Sequence, residues 1–136
     1  MIYDRENLIN ISIKLQNVII RSCDYHDVEN FADEKTFVYF DPPYRPLNVT
    51  SSFTSYTESS FNDNDQIELA KLYRKLADKG VKVLLSNSDP HNVNYEDNFF
   101  DDLYAGFDIQ RITAVRSINS KADKRGNVTE LLIKNY

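Results

Sequence analysis

The string Asp41-Pro42-Pro43-Tyr44 is the part of this 136-residue sequence best equipped for chemistry. It sets a carboxylate, a turn whose prolines donate no N–H, and an aromatic ring in immediate succession. A planar exocyclic amine is a poor nucleophile because its lone pair is delocalised into the ring that carries it. A carboxylate and a rigidly presented backbone carbonyl can each accept one of its N–H bonds, raising electron density on nitrogen as it attacks. Asp41 supplies the first acceptor, the carbonyl of Pro42 the second, and Tyr44 a flat face on which an extruded base can stack. The plainer alternative is a loop in which Asp caps and Tyr packs. Context favours chemistry, because the apolar run Phe37–Phe40 stands directly before Asp41. In open α/β sheets, ligands bind beyond the carboxyl ends of strands.

The elements that must position this string follow from periodicity. Asp4–Gln16 places Leu8, Ile11 and Leu15 at helical spacing. Asn17–Arg21 (NVIIR) and Thr36–Phe40 (TFVYF) read as strands, apolar on consecutive positions and so expected to be covered on both faces, as in a parallel sheet. Pro42 and Pro43 end the second one. Arg45–Asn62 is a loop rich in Ser, Thr and aromatics. A helix is expected over Asp63–Lys79, with Ile67, Leu69, Ala70, Leu72, Tyr73 and Leu76 on its apolar face, Asn62 or Asp63 as cap, and Gly80 as the left-handed terminator. Val81–Ser86 (VKVLLS) is the next strand, and strand–helix–strand at this spacing predicts a parallel βαβ unit. Asn92–Gly106 is a weaker helical stretch. Asp108–Arg116 and Val128–Asn135 alternate as strands and, joined by one polar segment, predict an antiparallel hairpin. The expected class is α/β, with a mainly parallel sheet ending in that hairpin.

Composition bounds the partners. Sixteen Lys and Arg against twenty-one Asp and Glu give a formal charge of −5, so nucleic acid cannot be held by bulk positive charge and any such contact is local. Arg116, Lys121, Lys124 and Arg125 form one basic cluster in the late loop, readable either as phosphate contacts or as ordinary solvated side chains. The single cysteine, Cys23, excludes a disulfide framework and a cysteine-cluster metal site. His26 and His91 lack ligand spacing, so no metal is expected. Asp4, Arg5, Glu6 and Lys14 interrupt any targeting h-region, and Phe37–Phe40, the longest apolar run, is far too short to cross a bilayer. A cytoplasmic protein without membrane partners is expected.

The resemblance to a known family rests on several segments in order. FVYFDPPYRPL at 37–47, FTSYTESSF at 53–61, VLLSNSD at 83–89 and VRSINSKADKRGNVTELLIKNY at 115–136 resemble the catalytic half of the Dam-like, D12-class adenine-specific DNA methyltransferases. Ser22-Cys23-Asp24-Tyr25 resembles the acidic-aromatic turn that lies against the cofactor's adenosine in that family. The resemblance implies a partial Rossmann-like methyltransferase fold and methyl transfer from S-adenosylmethionine to adenine in double-stranded DNA, leaving S-adenosylhomocysteine. It implies Asp41, Pro42, Pro43 and Tyr44 as the catalytic group, and Asp24, Tyr25 and Asp41 as cofactor contacts. It also implies Tyr44, Phe53 and Tyr56 as walls of the base pocket, although core packing explains Phe53 and Tyr56 equally well. Asn87, at another strand end, is open between a local turn and a pocket role.

The departures carry equal weight. The family's glycine-rich F-x-G-x-G turn should precede D-P-P-Y, yet the glycines here are Gly80, Gly106 and Gly126, all downstream. An early cofactor-contacting lysine helix and most of the target-recognition region are also absent. The expectation is one domain over 1–136, the C-terminal catalytic part of a larger enzyme, without the first β-α units. Self-association or a complementing N-terminal half is expected to complete it. The rival is a non-catalytic remnant or partner module that retains the adenine pocket. Methylation of an RNA or glutamine group is disfavoured because Asp, not Asn, opens the motif.

Overall fold

The computed structural model describes residues 3–47, 61–115 and 127–136. Helix α1 (Arg5–Leu15) starts where expected: the Asp4 carboxylate accepts the Asn7 N–H at 3.0 Å, and Glu6 and Lys14 complement the helix dipole. It buries no residue, and Leu8, Ile11 and Leu15 lie on solvent. The strand expected over Asn17–Arg21 does not form. Ile19 and Ile20 are each 79% exposed, and the segment has no ladder partner among the described residues. β propensity needs an edge to pair with before it becomes a strand.

Strand β1 (Phe37–Phe40) follows a turn in which the Asp33 carboxylate accepts from the Lys35 N–H and the Thr36 hydroxyl. Helix α2 (Asp63–Asp78) begins with a reciprocal capping box between Asn62 and Asp65. It ends at Gly80, whose φ of +80° lets the Gly80 and Val81 N–H groups reach the Ala77 and Leu76 carbonyls at 2.9 and 3.1 Å. Strand β2 (Lys82–Ser88) then pairs in parallel with β1, from Phe37 opposite Lys82 to Phe40 opposite Leu85. The stretch expected to be weakly helical holds a 3₁₀ turn, Pro90–Asn92, and the short helix α3 (Phe99–Leu103). Strands β3 (Asp108–Val115) and β4 (Asn127–Lys134) form the expected antiparallel hairpin, and β4 lies between β2 and β3.

The α/β class and the βαβ unit thus hold, but the sheet is less parallel than expected. In the order β1-β2-β4-β3, only β1–β2 is parallel, because β4 runs antiparallel to both neighbours. Strand β1 is also covered on one face, not both, whereas β2 is buried at every position from Leu85 to Ser88. Val38, Phe40, Val83, Leu85, Leu131 and Ile133 pack with Leu69, Leu72, Tyr73 and Leu76 of α2 and with Phe100 and Tyr104. On the opposite face Phe37 and Tyr39 remain about half exposed and Ile112 is also exposed, since no described helix lies across them. The consecutive apolar residues of β1 therefore alternate between core and solvent.

Candidate active site

The site is built where β1 runs out. Beyond Phe40 the two prolines cannot extend the ladder, so Asp41 is delivered at the strand's carboxyl end beside Ser86 of β2. The Ser86 hydroxyl donates to Asp41 Oδ1 at 3.0 Å and accepts from the Tyr39 hydroxyl at 2.9 Å. One carboxylate oxygen is thereby occupied and oriented. Among the described residues no donor reaches the Pro42 carbonyl.

The turn after Asp41 is pinned from α2 and β2. The Gln66 amide donates to the Pro43 carbonyl at 3.1 Å, and its own oxygen accepts from Asn87 Nδ2 at 3.1 Å. Asn87 Oδ1 accepts the N–H groups of Arg45 at 3.0 Å and Ser88 at 2.9 Å. The Ser88 hydroxyl donates to the Arg45 carbonyl at 2.7 Å. Gln66 and Asn87 are fully buried, so these bonds stand in a low-dielectric setting where leaving either amide unsatisfied is costly. The Arg45 side chain adds a clamp: Nε and Nη2 meet the Asp63 carboxylate at 2.8 and 3.2 Å, Nη1 meets Asp97 at 2.8 Å, and the guanidinium lies over Phe99 at 4.3 Å. That clamp holds the Asp97 carboxyl below the usual carboxylate range, chiefly through the hydrogen bond from Arg45.

A cleft of about 330 Å³ opens beside the turn, lined by Tyr25, Tyr39, Phe40, Asp41, Pro42, Pro43, Phe61 and Leu69. Tyr25 is brought there by a 3₁₀ turn, Tyr25–Asn30, and meets Phe61 edge-on at 6.0 Å. Glu29 fastens the turn to α2 by accepting from Lys75 at 2.6 Å and Lys79 at 3.3 Å. The Asp24 carboxylate caps the same turn, accepting from the His26 N–H at 2.9 Å and facing its Nδ1 at 2.7 Å. The backbone bond, followed by the ring contact, holds Asp24 below its ordinary value.

The sequence-predicted residues are therefore partly gathered. Asp41, Pro42, Pro43 and Tyr25 share the cleft, with Asp24 next to Tyr25 in the chain but outside the lining. Tyr44 does not line it. Its half-buried hydroxyl donates to Glu130 Oε2 at 3.4 Å, and burial raises the phenol. Phe53, Tyr56, Arg116, Lys121, Lys124 and Arg125 lie outside the described residues. Asn87 does not line the cleft; it bonds to its neighbour Ser88 and, across the fold, to the Arg45 N–H of the turn. Gln66, Ser86 and Arg45 were missed. The signal for Gln66 was an amide on the apolar stripe of α2, in register with Leu69, Ala70 and Tyr73.

A D12 class N6 adenine-specific DNA methyltransferase family model matches residues 1–118 of this chain. The chain belongs to that family. It is 54% identical over 136 residues to the type II methyltransferase M.MjaIII of Methanocaldococcus jannaschii, covering 99% of this chain and 45% of that protein. It is 40% identical over 137 residues to the type II methyltransferase M1.LlaDCHI of Lactococcus lactis subsp. cremoris, covering 99% and 46%. It is 32% identical over 130 residues to the DNA adenine methylase of Escherichia coli K12, covering 96% and 44%. The chain thus spans slightly under half the length of these curated relatives. The family is S-adenosylmethionine-dependent. The cleft's aromatic walls and polar edge fit the flat adenosine part of that molecule, whereas none of its described lining residues is basic, so a carboxylate would be held elsewhere. Among the described residues there is no three-ligand metal cluster, and no helix is long and apolar enough to cross a membrane.

Proposed function

We propose that this chain forms the catalytic part of an enzyme that methylates the N6 amino group of an adenine turned out of double-stranded DNA. The observation that carries the reading is the Ser86-oriented Asp41 carboxylate beside the Pro42 carbonyl, which no donor among the described residues reaches, on a turn pinned at the mouth of an aromatic cleft. Asp41 accepts one N6–H and the Pro42 carbonyl the other, which localises the nitrogen lone pair for attack. The bound S-adenosylmethionine supplies an electrophilic methyl group and leaves as S-adenosylhomocysteine. As the N–C bond forms, Asp41 holds the proton that nitrogen sheds and passes it to solvent, to which this carboxylate is exposed.

Tyr25 and Asp24 are assigned to the adenosine side of the cofactor, with Asp41 on its methyl-donor side. Tyr44, Phe53 and Tyr56 are assigned to the base, and Arg116, Lys121, Lys124 and Arg125 to DNA phosphates. The compartment is the one that holds the DNA, the cytoplasm of a prokaryotic cell. The remaining cofactor contacts come from a complementing N-terminal half or a second copy, which the exposed Ile19, Ile20 and uncovered sheet face would receive. Those exposed surfaces also favour the second reading, a partner module that keeps the pocket without turning over by itself.

The test is transfer of tritiated methyl from S-adenosylmethionine to unmethylated duplex DNA, run beside Asp41→Ala. Incorporation into adenine that disappears in the variant supports the enzyme. No incorporation in either, even with an upstream half of a relative added in trans, supports the non-catalytic module.

A further inference from the structure

We propose that the buried Gln66–Asn87 amide pair is the positioning device of the site, fixing the backbone that presents the Pro42 carbonyl. The inference rests on the methyl-transfer reading and names residues that act through that backbone without touching the substrate.

The need for such a device follows from the turn's own composition. Pro42 and Pro43 have no N–H, so the two peptide units that follow Asp41 cannot be anchored by donors of their own. What the turn offers is carbonyl oxygens, and beyond them the N–H groups of Tyr44 and Arg45. The amide pair takes one of each. Gln66 donates to the Pro43 carbonyl at 3.1 Å, and Asn87 accepts the Arg45 N–H at 3.0 Å. The two are joined by the 3.1 Å bond from Asn87 Nδ2 to Gln66 Oε1.

The polarity of this relay admits one arrangement. Asn87 Oδ1 faces two backbone donors, Arg45 and Ser88, so its amide cannot turn over without setting NH₂ against N–H. Nδ2 must then face Gln66, which requires the Gln66 oxygen there and its NH₂ toward Pro43. Both ends are backbone groups, so both amide orientations are determined by the chain itself. Strand β2 and helix α2 thus dictate the direction of the carbonyl one residue before Pro43, at a site where a small misplacement is costly to transfer.

Two variants of Gln66 separate positioning from mere packing. Gln66→Leu removes both bonds at nearly constant volume. Gln66→Glu keeps them only while protonated, its hydroxyl donating to Pro43 and its carbonyl accepting from Asn87. Burial raises the pKa of such a carboxyl, so ionisation and loss of the donor come as pH rises. In the full chain, Gln66→Leu should lower kcat about 10- to 100-fold at every pH, with KM for DNA and for S-adenosylmethionine within about threefold. The activity of Gln66→Glu relative to wild type should fall as pH rises, whereas that of Gln66→Leu stays flat.

A kcat for Gln66→Leu within threefold of wild type, or a flat ratio for Gln66→Glu, would overturn the proposal. A readout independent of turnover keeps failure of the methyl-transfer reading separate. In Gln66→Leu the ¹³C′ resonance of Pro42 and the ¹⁵N resonance of Arg45 should move, while amides in the last two turns of α2 stay in place. Unmoved Pro42 and Arg45 resonances would refute positioning whether or not wild type methylates DNA.

Discussion

Removing the Arg45 side chain tests whether its clamp stabilises the motif or merely decorates it. The Arg45 side chain is 20% exposed, that of Asp97 30% and that of Asp63 54%. The Asp63 contact is bidentate but lies more than half in water, so it contributes about 0.5 kcal/mol. The better-buried bond to Asp97 contributes about 1–1.5 kcal/mol and the stacking over Phe99 about 1 kcal/mol. Arg45→Ala should therefore cost about 3 kcal/mol, which at a urea slope of about 1.5 kcal/mol/M lowers the unfolding midpoint by about 2 M. Arg45→Lys should recover at most about 1 kcal/mol, because a point charge cannot reach both carboxylates and stack at once.

The same pair sets a pH dependence. Asp97 has a depressed folded value, so its contribution is fully present above the unfolded carboxylate value of about 3.9 and is lost as pH falls through the folded one. Urea titrations of wild type and Arg45→Ala at pH 7 and pH 3 should show the gap narrowing in acid, and a double-mutant cycle with Asp97→Ala isolates the pair. A midpoint shift below about 0.5 M at pH 7, or a gap unchanged at pH 3, would refute the reasoning.

Three further perturbations are specific. Tyr104 is fully buried and its hydroxyl has no hydrogen-bond partner among the described residues, so Tyr104→Phe should leave stability unchanged or raise it by about 1 kcal/mol in urea unfolding. Gly80 sits at φ +80° with the nearest obstacle to an added Cβ at 3.8 Å, so Gly80→Ala should cost about 1–2 kcal/mol in urea unfolding through backbone conformation alone. Ser86→Ala removes the donor that orients Asp41. It should slow methyl transfer about tenfold in single-turnover assays while Ser86→Thr restores most of it, and equal loss in both variants would point to packing instead.

Where a structural decision depends on a few neighbouring residues, it was legible in the chain. Asn62, one of the two caps the sequence offers, does cap α2, and Gly80 supplies the left-handed residue that ends the same helix. Prolines 42 and 43 stop β1 and so place Asp41 at a strand end. The hairpin of β3 and β4 followed from two alternating runs joined by one loop. The proposed acceptor pair, Asp41 and the Pro42 carbonyl, is likewise made of adjacent residues.

What escaped that reading depends on partners far away in sequence. Asn17–Arg21 has the composition of a strand, but Ile19 and Ile20 stand in solvent because a ladder needs a neighbour and propensity cannot supply one. The insertion of β4 between β2 and β3, which makes the sheet mostly antiparallel, is likewise a matter of which edges meet. Gln66 and Asn87 show the point within the site itself. Asn87 reads in the sequence only as a strand-end polar residue and Gln66 draws no notice there; the bonds that join them to each other and to the turn span 21 to 42 positions and exist only once α2, β2 and the turn meet. Local sterics and capping are written within a turn or two of chain. The satisfaction of buried polar groups is settled only by the assembled tertiary structure, where water is excluded and each donor must find its acceptor.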